Sequence, residues 1–438
     1  MPPLLSWGRY PHYPQSPHPI YWPENVSQGL AEIAKIGQGA TLAFGCGRSY
    51  GDSCLAESGH VLAMQNMDRV LAVDWETGVV LAQAGLTLAE LIRMALPRGW
   101  FLPVTPGTKF VTLGGAVAND VHGKNHHVMG TFGRHVKHLL IHRSDEGITQ
   151  CSPHYKPDLF AATVGGLGLT GVILAVEIQL RRVVSSDINQ RSIRFGGLEE
   201  FFELSGTHDA SHEYTVAWID CLASGKQAGR GHYIAGNHGL NHSINVAPAG
   251  GLSMPIDPPL SLINSFSLRA FNTLYYHRQL KKEVASLVGY DPFFYPLDRL
   301  QQWNRIYGRA GFQQYQCVVP LQNGCEVIRA VMQQIAKSGT GSFLAVLKQC
   351  GELSSPGLLS FPMSGVSLAL DFPQRDQINE RLFKKLDALV HEAGGRLYPA
   401  KDAHMSATHF KQAYPQWERV EALRDPQLSS HFWKRVTQ

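Results

Sequence analysis

VTPGTKFVTLGGAVANDVHGKNHH, residues 104–127, is the least ordinary stretch of the chain. Gly107, Gly114, Gly115 and Gly123 punctuate it, Gly130 lies just beyond, and few of its residues suit a regular helix. Glycine serves where backbone must take φ > 0 or approach something closely. With Thr108, Thr112, Asn119 and Asp120 interspersed, the pattern predicts backbone wrapped around a large polar ligand, its N–H groups forming nests for phosphate oxygens. The plain alternative is a mobile glycine loop. Long structureless loops inside compact domains are uncommon unless they have a function.

Two further glycine clusters flank this one. Upstream, the apolar run Ala40–Phe44 predicts a buried strand that enters Gly45-Cys46-Gly47-Arg48-Ser49-Tyr50-Gly51-Asp52. A strand feeding a glycine-rich loop suits phosphate binding, although no Gly-Lys-Ser/Thr follows, which excludes a P-loop. Downstream, Val164-Gly165-Gly166-Leu167-Gly168-Leu169-Thr170-Gly171 formally contains G-x-G-x-x-G. A dinucleotide fingerprint follows a strand and opens a helix. Here the glycines precede the strand-like run Val172–Leu180, so that assignment fails.

Taken together, GRSYGD, then PGT…TLGGAVANDVHGKNHH…GTFG, then TVGGLGLTG resemble the FAD-binding half of the flavoprotein oxidases typified by vanillyl-alcohol oxidase. The resemblance is strongest to the branch that oxidises a polyprenylphosphoryl ribose, and it continues through WNRIYGRAGFQQYQ, LSFP and GGRLYPAKD. It implies a two-domain α+β fold: an FAD-binding domain at 1–183, an antiparallel-sheet substrate domain at 184–394, and a C-terminal return to the FAD domain at 395–438.

The whole chain agrees with that outline. Its 438 residues exceed one ordinary core. Its 44% hydrophobic and 17% charged residues are those of a soluble globular protein. A net charge of +4, with no Lys/Arg run interleaved with aromatics, gives no sign of nucleic-acid binding. Seven scattered cysteines without C-x-x-C argue against a disulfide framework or a zinc site and for reduced thiols. MPPLLSWGRYPHYPQSPHP lacks a signal-peptide layout, and no segment has the apolar length of a membrane span. The expected location is the cytoplasm, and the lipid-phosphate substrate implied by the resemblance adds peripheral contact with the inner face of the membrane.

Local patterning predicts a helix at Pro23–Ile36 and strands at His60–Gln65, Val70–Asp74 and Val79–Ala84. Thr87-Leu-Ala-Glu90 is a capping box that opens a helix running to Leu96. Val172–Val183 reads as one long strand. The segment 184–292 is the least legible, and 223–239 and 247–259 read as loops. From Gln314 the order strand, helix, strand occurs twice, through Tyr315–Val319, Glu326–Lys337, Ser342–Lys348, Val366–Phe372, Ile378–Glu392 and Arg396–Ala400. That order predicts a ferredoxin-like sheet whose open face lies over a ligand.

The resemblance also assigns residues. Gly45, Cys46, Gly47, Arg48, Ser49, Tyr50, Gly51, Asp52 and Ser53, with Gly107, Thr112, Leu113, Gly114 and Gly115, are expected to cradle the cofactor. Asn119, Asp120, Val121 and His122 are expected to approach its ring, and Ile173 and Tyr398 to touch it elsewhere. Many relatives attach FAD through a His at the position of Arg48; arginine cannot form that bond, so FAD is expected to bind noncovalently. His122, His126 and His127 could be taken for a metal cluster, but no Cys or carboxylate completes a known spacing, and no metal is expected.

Gln314 and Gln316, two apart on a strand, share a face. The resemblance makes them, with Lys348 and Ser367, the expected substrate contacts and implies Tyr50 across the pocket from them. Lys401 is the expected catalytic residue, with Tyr50 and His122 beside it, because a desolvated lysine can act as a base. The branch carries Asn and Cys where this chain has Ser367 and Ala369.

The expected activity is oxidation of a sugar secondary hydroxyl, on polyprenylphosphoryl-β-D-ribose, with an NAD(P)H-dependent short-chain reductase completing an epimerisation. Oxidation of soluble alditols or aldonolactones is the alternative within the class. A flavin-free carbohydrate or lipid-phosphate binding protein is the alternative outside it.

Overall fold

The computed structural model describes residues 3–36, 38–248 and 250–438. In the first half, β1 (Ser16–Pro19), β2 (Leu42–Phe44) and β3 (His60–Ala63) form a parallel sheet in the order β1-β3-β2. Helix α1 (Asn25–Ile36) buries Val26, Leu30 and Ile33 against Leu62, Met64 and Met67. Fully burying such a side chain is worth about 1.5–3 kcal/mol, which fixes the helix on that sheet.

A second sheet is antiparallel throughout. Its strands β4 (Val70–Asp74), β5 (Val79–Gln83), β6 (Val136–Arg143), β7 (Gly147–Cys151) and β8 (Val172–Gln179) run in the order β4-β5-β8-β6-β7. Helix α2 (Leu88–Ala95) starts with the capping box the sequence predicts: Thr87 Oγ1 accepts from Glu90 N at 3.2 Å, and Thr87 N donates to Glu90 Oε2 at 3.0 Å. The single strand expected at Val172–Val183 is instead two. β8 ends at Gln179, and Arg181–Arg182 pairs separately with Trp100–Phe101.

Residues 104–127 correct the sequence expectation in one respect. Leu113–Ala118 forms a short helix, α3, with Thr112 at its N-cap. Among Gly107, Gly114, Gly115, Gly123 and Gly130, only Gly130 has a positive φ, at 70°. Gly114 is needed for proximity: a Cβ there would lie 2.9 Å from the Ala84 Cβ at the end of β5. The helix therefore packs onto the sheet through its glycine.

The second half is one eight-stranded antiparallel sheet. It comprises β9 (Asp187–Phe195), β10 (Tyr214–Ile219), β11 (Gly231–His238), β12 (Glu283–Gly289), β13 (Phe312–Pro320), β14 (Val346–Cys350), β15 (Gly365–Pro373) and β16 (Arg396–Leu397), in the order β12-β9-β11-β10-β14-β15-β13-β16. Helices α4 (Leu198–His208), α6 (Gly324–Ser338) and α7 (Asp376–Glu392) cover one face, and α5 (Ser265–His277) lies between β11 and β12 in the chain. The covered face is apolar: Tyr315, Cys317, Val319, Leu347, Leu368 and Leu370 pack with Ile328, Val331 and Phe383.

This sheet is larger than the ferredoxin-like unit expected. The additional strands come from 184–292, and β11 occupies a stretch that composition marks as loop. Gly231 and Gly236 belong to that strand because backbone and aromatic neighbours crowd them; a Cβ on Gly231 would lie 2.0 Å from the Trp218 carbonyl oxygen.

After β16 the chain turns back to the first half. Tyr50 N donates to the Ala400 carbonyl at 2.9 Å. Arg435, on the last helix α8 (His431–Thr437), pairs with Asp52 at 2.8 Å and Asp402 at 2.9 Å.

Candidate active site

Between the glycine loops and the bare face of the large sheet lies a cavity of about 670 Å³. Its floor is the glycine-rich loops, which also carry Arg48, Tyr50, His122 and Lys124: the loop after β2 from Gly45 to Tyr50, then Gly107, Thr112, Gly114 and Gly115, then Asn119 to Lys124 without Asp120. Its roof is side chains from alternate strand positions. Gln314 pairs with Asp371, Gln316 with Ala369, and Lys348 with Ser367, and all six line the cavity. Neighbours one position along, such as Tyr315 and Leu368, point into the core on the other side, as the period of two requires.

Most of the residues singled out from the sequence meet here, including Cys46, Arg48, Ser49, Ser53, Val121, Ile173 and Tyr398. Four do not line the cavity. A Cβ on Gly51 would lie 1.7 Å from the Asp402 carbonyl oxygen, so this glycine admits the returning C-terminal chain. Asp52 is the ion-pair partner of Arg435. Leu113 is fully buried in the core around α3. Asp120 is buried and accepts hydrogen bonds from Ser360 Oγ at 2.6 Å and Gly133 N at 2.8 Å, which hold the loop that carries His122.

Lys401 extends its ammonium over the Tyr50 ring, 3.6 Å from the centroid. Burial draws this lysine down to about 7, Asp371 pulls it up, and Arg48 presses it further down. Asp371 was not foreseen. Its carboxyl is 1% exposed, Oδ1 accepts from Gln314 Nε2 at 2.6 Å, and Oδ2 has no partner. Burial pushes it up to about 7 against the pull of Gln314 and Lys401. The signal was present in VSLALDFP, where an acidic residue stands two positions after Ala369 on the face that bears Ser367.

His122 lies within electrostatic reach of both Lys348 and Lys401. Its Nε2 is 3.3 Å from Gln316 Nε2, its ring packs on Phe361 and Tyr398, and its Nδ1 is buried without a partner. Burial, then Lys348 and other cations including Lys401, hold it well below the usual imidazole range, so it is neutral. His127 is engaged with the His212 carbonyl at 3.0 Å. Among the described residues, no three His, Cys, Asp or Glu side chains come together as a metal site.

The cavity suits a flavin dinucleotide. Its volume is that of a site for a large organic ligand. A Cβ on Gly107 would meet nothing within 4 Å, so this backbone borders open space. Ser53 Oγ is buried in the lining without a hydrogen-bond partner. Arg48 does not join an ion pair among the described residues; its guanidinium lies 3.8 Å from the Trp7 ring centroid and its Nε donates to the Phe110 carbonyl at 3.2 Å.

A glycine floor, a polar sheet roof and perturbed lysine and carboxylate groups between them describe a flavin-dependent oxidoreductase. Residues 20–152 match the family model of the FAD binding domain. The chain is 34% identical to the decaprenylphosphoryl-β-D-ribose oxidase of Mycolicibacterium smegmatis over 97% of its own length and 94% of that protein. It therefore belongs to the vanillyl-alcohol-oxidase family of FAD oxidases that includes this enzyme, which excludes the flavin-free alternative. Shorter matches are to a putative D-arabinono-1,4-lactone oxidase of Neurospora crassa (32% identity over 35% of this chain and 28% of that one) and to L-gulonolactone oxidase of Mus musculus (30% over 40% and 39%).

Proposed function

We propose that this enzyme oxidises the 2-hydroxyl of polyprenylphosphoryl-β-D-ribose to the ketone, as the first half of an epimerisation that a separate NAD(P)H-dependent short-chain reductase completes. The observation that carries this reading is the near full-length likeness to decaprenylphosphoryl-β-D-ribose oxidase, which spans the sheet as well as the cradle. The lactone oxidases match two fifths of the chain or less.

In this reading residues 1–183 and 395–438 hold the cofactor and 184–394 recognise the substrate. Bound FAD supplies the hydride acceptor. Lys401 Nζ, drawn down to about 7 by burial, takes the hydroxyl proton in its neutral form, seated over the Tyr50 ring and raised by the Asp371 carboxylate. Gln314, Gln316, Lys348 and Ser367 orient the sugar, and neutral His122 offers a hydrogen bond without adding charge. Asp120 and Leu113 hold the loop beneath. No helix among the described residues is long and apolar enough to cross a membrane. The proposed lipid substrate is met by peripheral contact, and the bare apolar residues Leu260, Phe266, Leu274 and Leu280 are the proposed contact surface.

Anaerobic flavin bleaching with a panel of sugars tests the reading. Polyprenylphosphoryl-β-D-ribose should bleach the flavin faster than any soluble alditol or aldonolactone. Equal or faster bleaching by an alditol would transfer the assignment to that class. With Arg48 at the usual attachment position, acid denaturation should release free FAD, and flavin retained on the precipitated chain would refute noncovalent binding.

A further inference from the structure

Two lysines of the cavity hold their ammonium groups against backbone carbonyls rather than carboxylates. They are Lys124, from the floor, and Lys348, from β14. Lys348 Nζ donates to the Gly123 carbonyl at 3.0 Å, and Lys124 Nζ donates to the Phe293 carbonyl. Neither forms an ion pair among the described residues, and the Asp371 carboxylate, which raises Lys401, is not among the groups that act on either of them. Glu213, which accepts from the neighbouring Asn125, is already paired with Arg181. His122 lines the same cavity with an unpartnered buried Nδ1.

The carboxylates that line the cavity, Asp298 and Asp371, form no ion pair with either lysine among the described residues, and two buried cations without such a partner call for an anionic ligand, because an unpaired buried charge is costly. We infer that Lys124 and Lys348 form an anion site for the phosphodiester of a glycosyl phosphate substrate, beside the reacting hydroxyl. The inference rests on the proposed function and extends it to Lys124 and to the orientation of the substrate. In a glycosyl phosphate the phosphate sits on the carbon next to the 2-hydroxyl. His122 lies within electrostatic reach of both Lys348 and Lys401, and all three line the same cavity. Burial draws Lys124 down to about 7, with Lys348 adding to the effect, and lowers Lys348 as well; an arriving anion favours the charged form of each.

The test uses the FAD-loaded enzyme and its Lys124→Met and Lys348→Met variants, with FAD content as the check on folding. Lys348→Gln serves if the Met protein does not load. Isothermal titration with inorganic phosphate should show saturable binding to the wild type. Each loss of a lysine should weaken it roughly tenfold or more, as expected for a charge-assisted contact, and Lys348→Arg should retain most of it. Absence of saturable binding, or equal binding in wild type and both Met variants, overturns the site.

Flavin reduction by polyprenylphosphoryl-ribose should show a raised half-saturation concentration in both variants. If this sugar fails to reduce the wild-type flavin while phosphate binding still depends on the lysines, the substrate reading falls and the anion site stands. If the sugar reduces it and phosphate binding ignores the lysines, the reverse holds. A lowered flavin potential in the variants with unchanged phosphate affinity would assign the charges to the cofactor and overturn the proposal.

Discussion

Gly45, Gly114 and Gly115 meet the cavity with backbone, whereas Gln314, Gln316, Lys348 and Asp371 meet it with side chains on alternate strand positions. The two surfaces should fail differently. The floor fails when a side chain is added at Gly45 or Gly114, where a Cβ would lie 2.5 Å from Thr112 Oγ1 or 2.9 Å from Ala84 Cβ. A roof made of side chains fails one function at a time, because the apolar face behind it holds the sheet whatever the cavity-facing residues are. The floor suits a ligand recognised by shape and phosphate; the roof suits chemistry and substrate choice.

The largest effect that would break this contrast is at Gly114. Its Cβ would lie 2.9 Å from Ala84 Cβ and 3.3 Å from the Ala84 carbonyl oxygen, so Gly114→Val must push α3 off β5. The expected outcome is a protein without flavin, read as absorbance per mole of chain. Full loading would show that the floor tolerates side chains and that the contrast is false.

Lys401, on the segment that returns after β16, meets the cavity with a side chain as the roof residues do, so Lys401→Met should load FAD normally and yet reduce it about a hundredfold more slowly, the usual scale for a lost acid–base group. Stopped-flow reduction decides this. A near-normal rate removes Lys401 from the chemistry, and a comparable loss in Lys348→Met transfers the role.

A smaller effect is expected at Asp371. If Lys401 accepts the proton in its neutral form, flavin reduction should be slow below a pH of about 7 and level off above it. The Asp371 carboxylate raises Lys401, so Asp371→Asn should move that midpoint to lower pH. A midpoint that stays in place or rises would show that the two groups do not communicate.

The same contrast explains what could be seen in the sequence. The floor is legible because glycines in clusters are rare and positional: GRSYGD and TLGGAVAND give the cofactor and the family together. The roof is legible only where alternation is local, as in Gln314 and Gln316. Asp371 lies on the strand face that bears Ser367, but its burial and its bond to Gln314 show only in the folded sheet. Lys124 was passed over as one lysine in a glycine loop. β11 was hidden because Gly231 and Gly236 look like loop glycines until the close neighbours that require them are known. The helix at Leu113–Ala118 was missed because its glycines, suited locally to turns, are there for its packing against Ala84.

The smallest effect concerns a side chain that belongs to the floor without facing the ligand. Thr87 caps α2 through Glu90, and the same segment bonds to the cradle: Leu88 N donates to the Val111 carbonyl at 2.9 Å, and Leu113 N to the Leu86 carbonyl at 2.8 Å. Those cradle contacts are backbone and survive removal of the hydroxyl. Thr87→Ala should therefore cost only the capping contact, about 1 kcal/mol, seen as a small drop in the denaturation midpoint. Flavin content and reduction rate should remain those of the wild type. A variant that instead loses flavin would show that the floor depends on side-chain caps as much as on its glycines, and the division between a backbone floor and a side-chain roof would have to be given up.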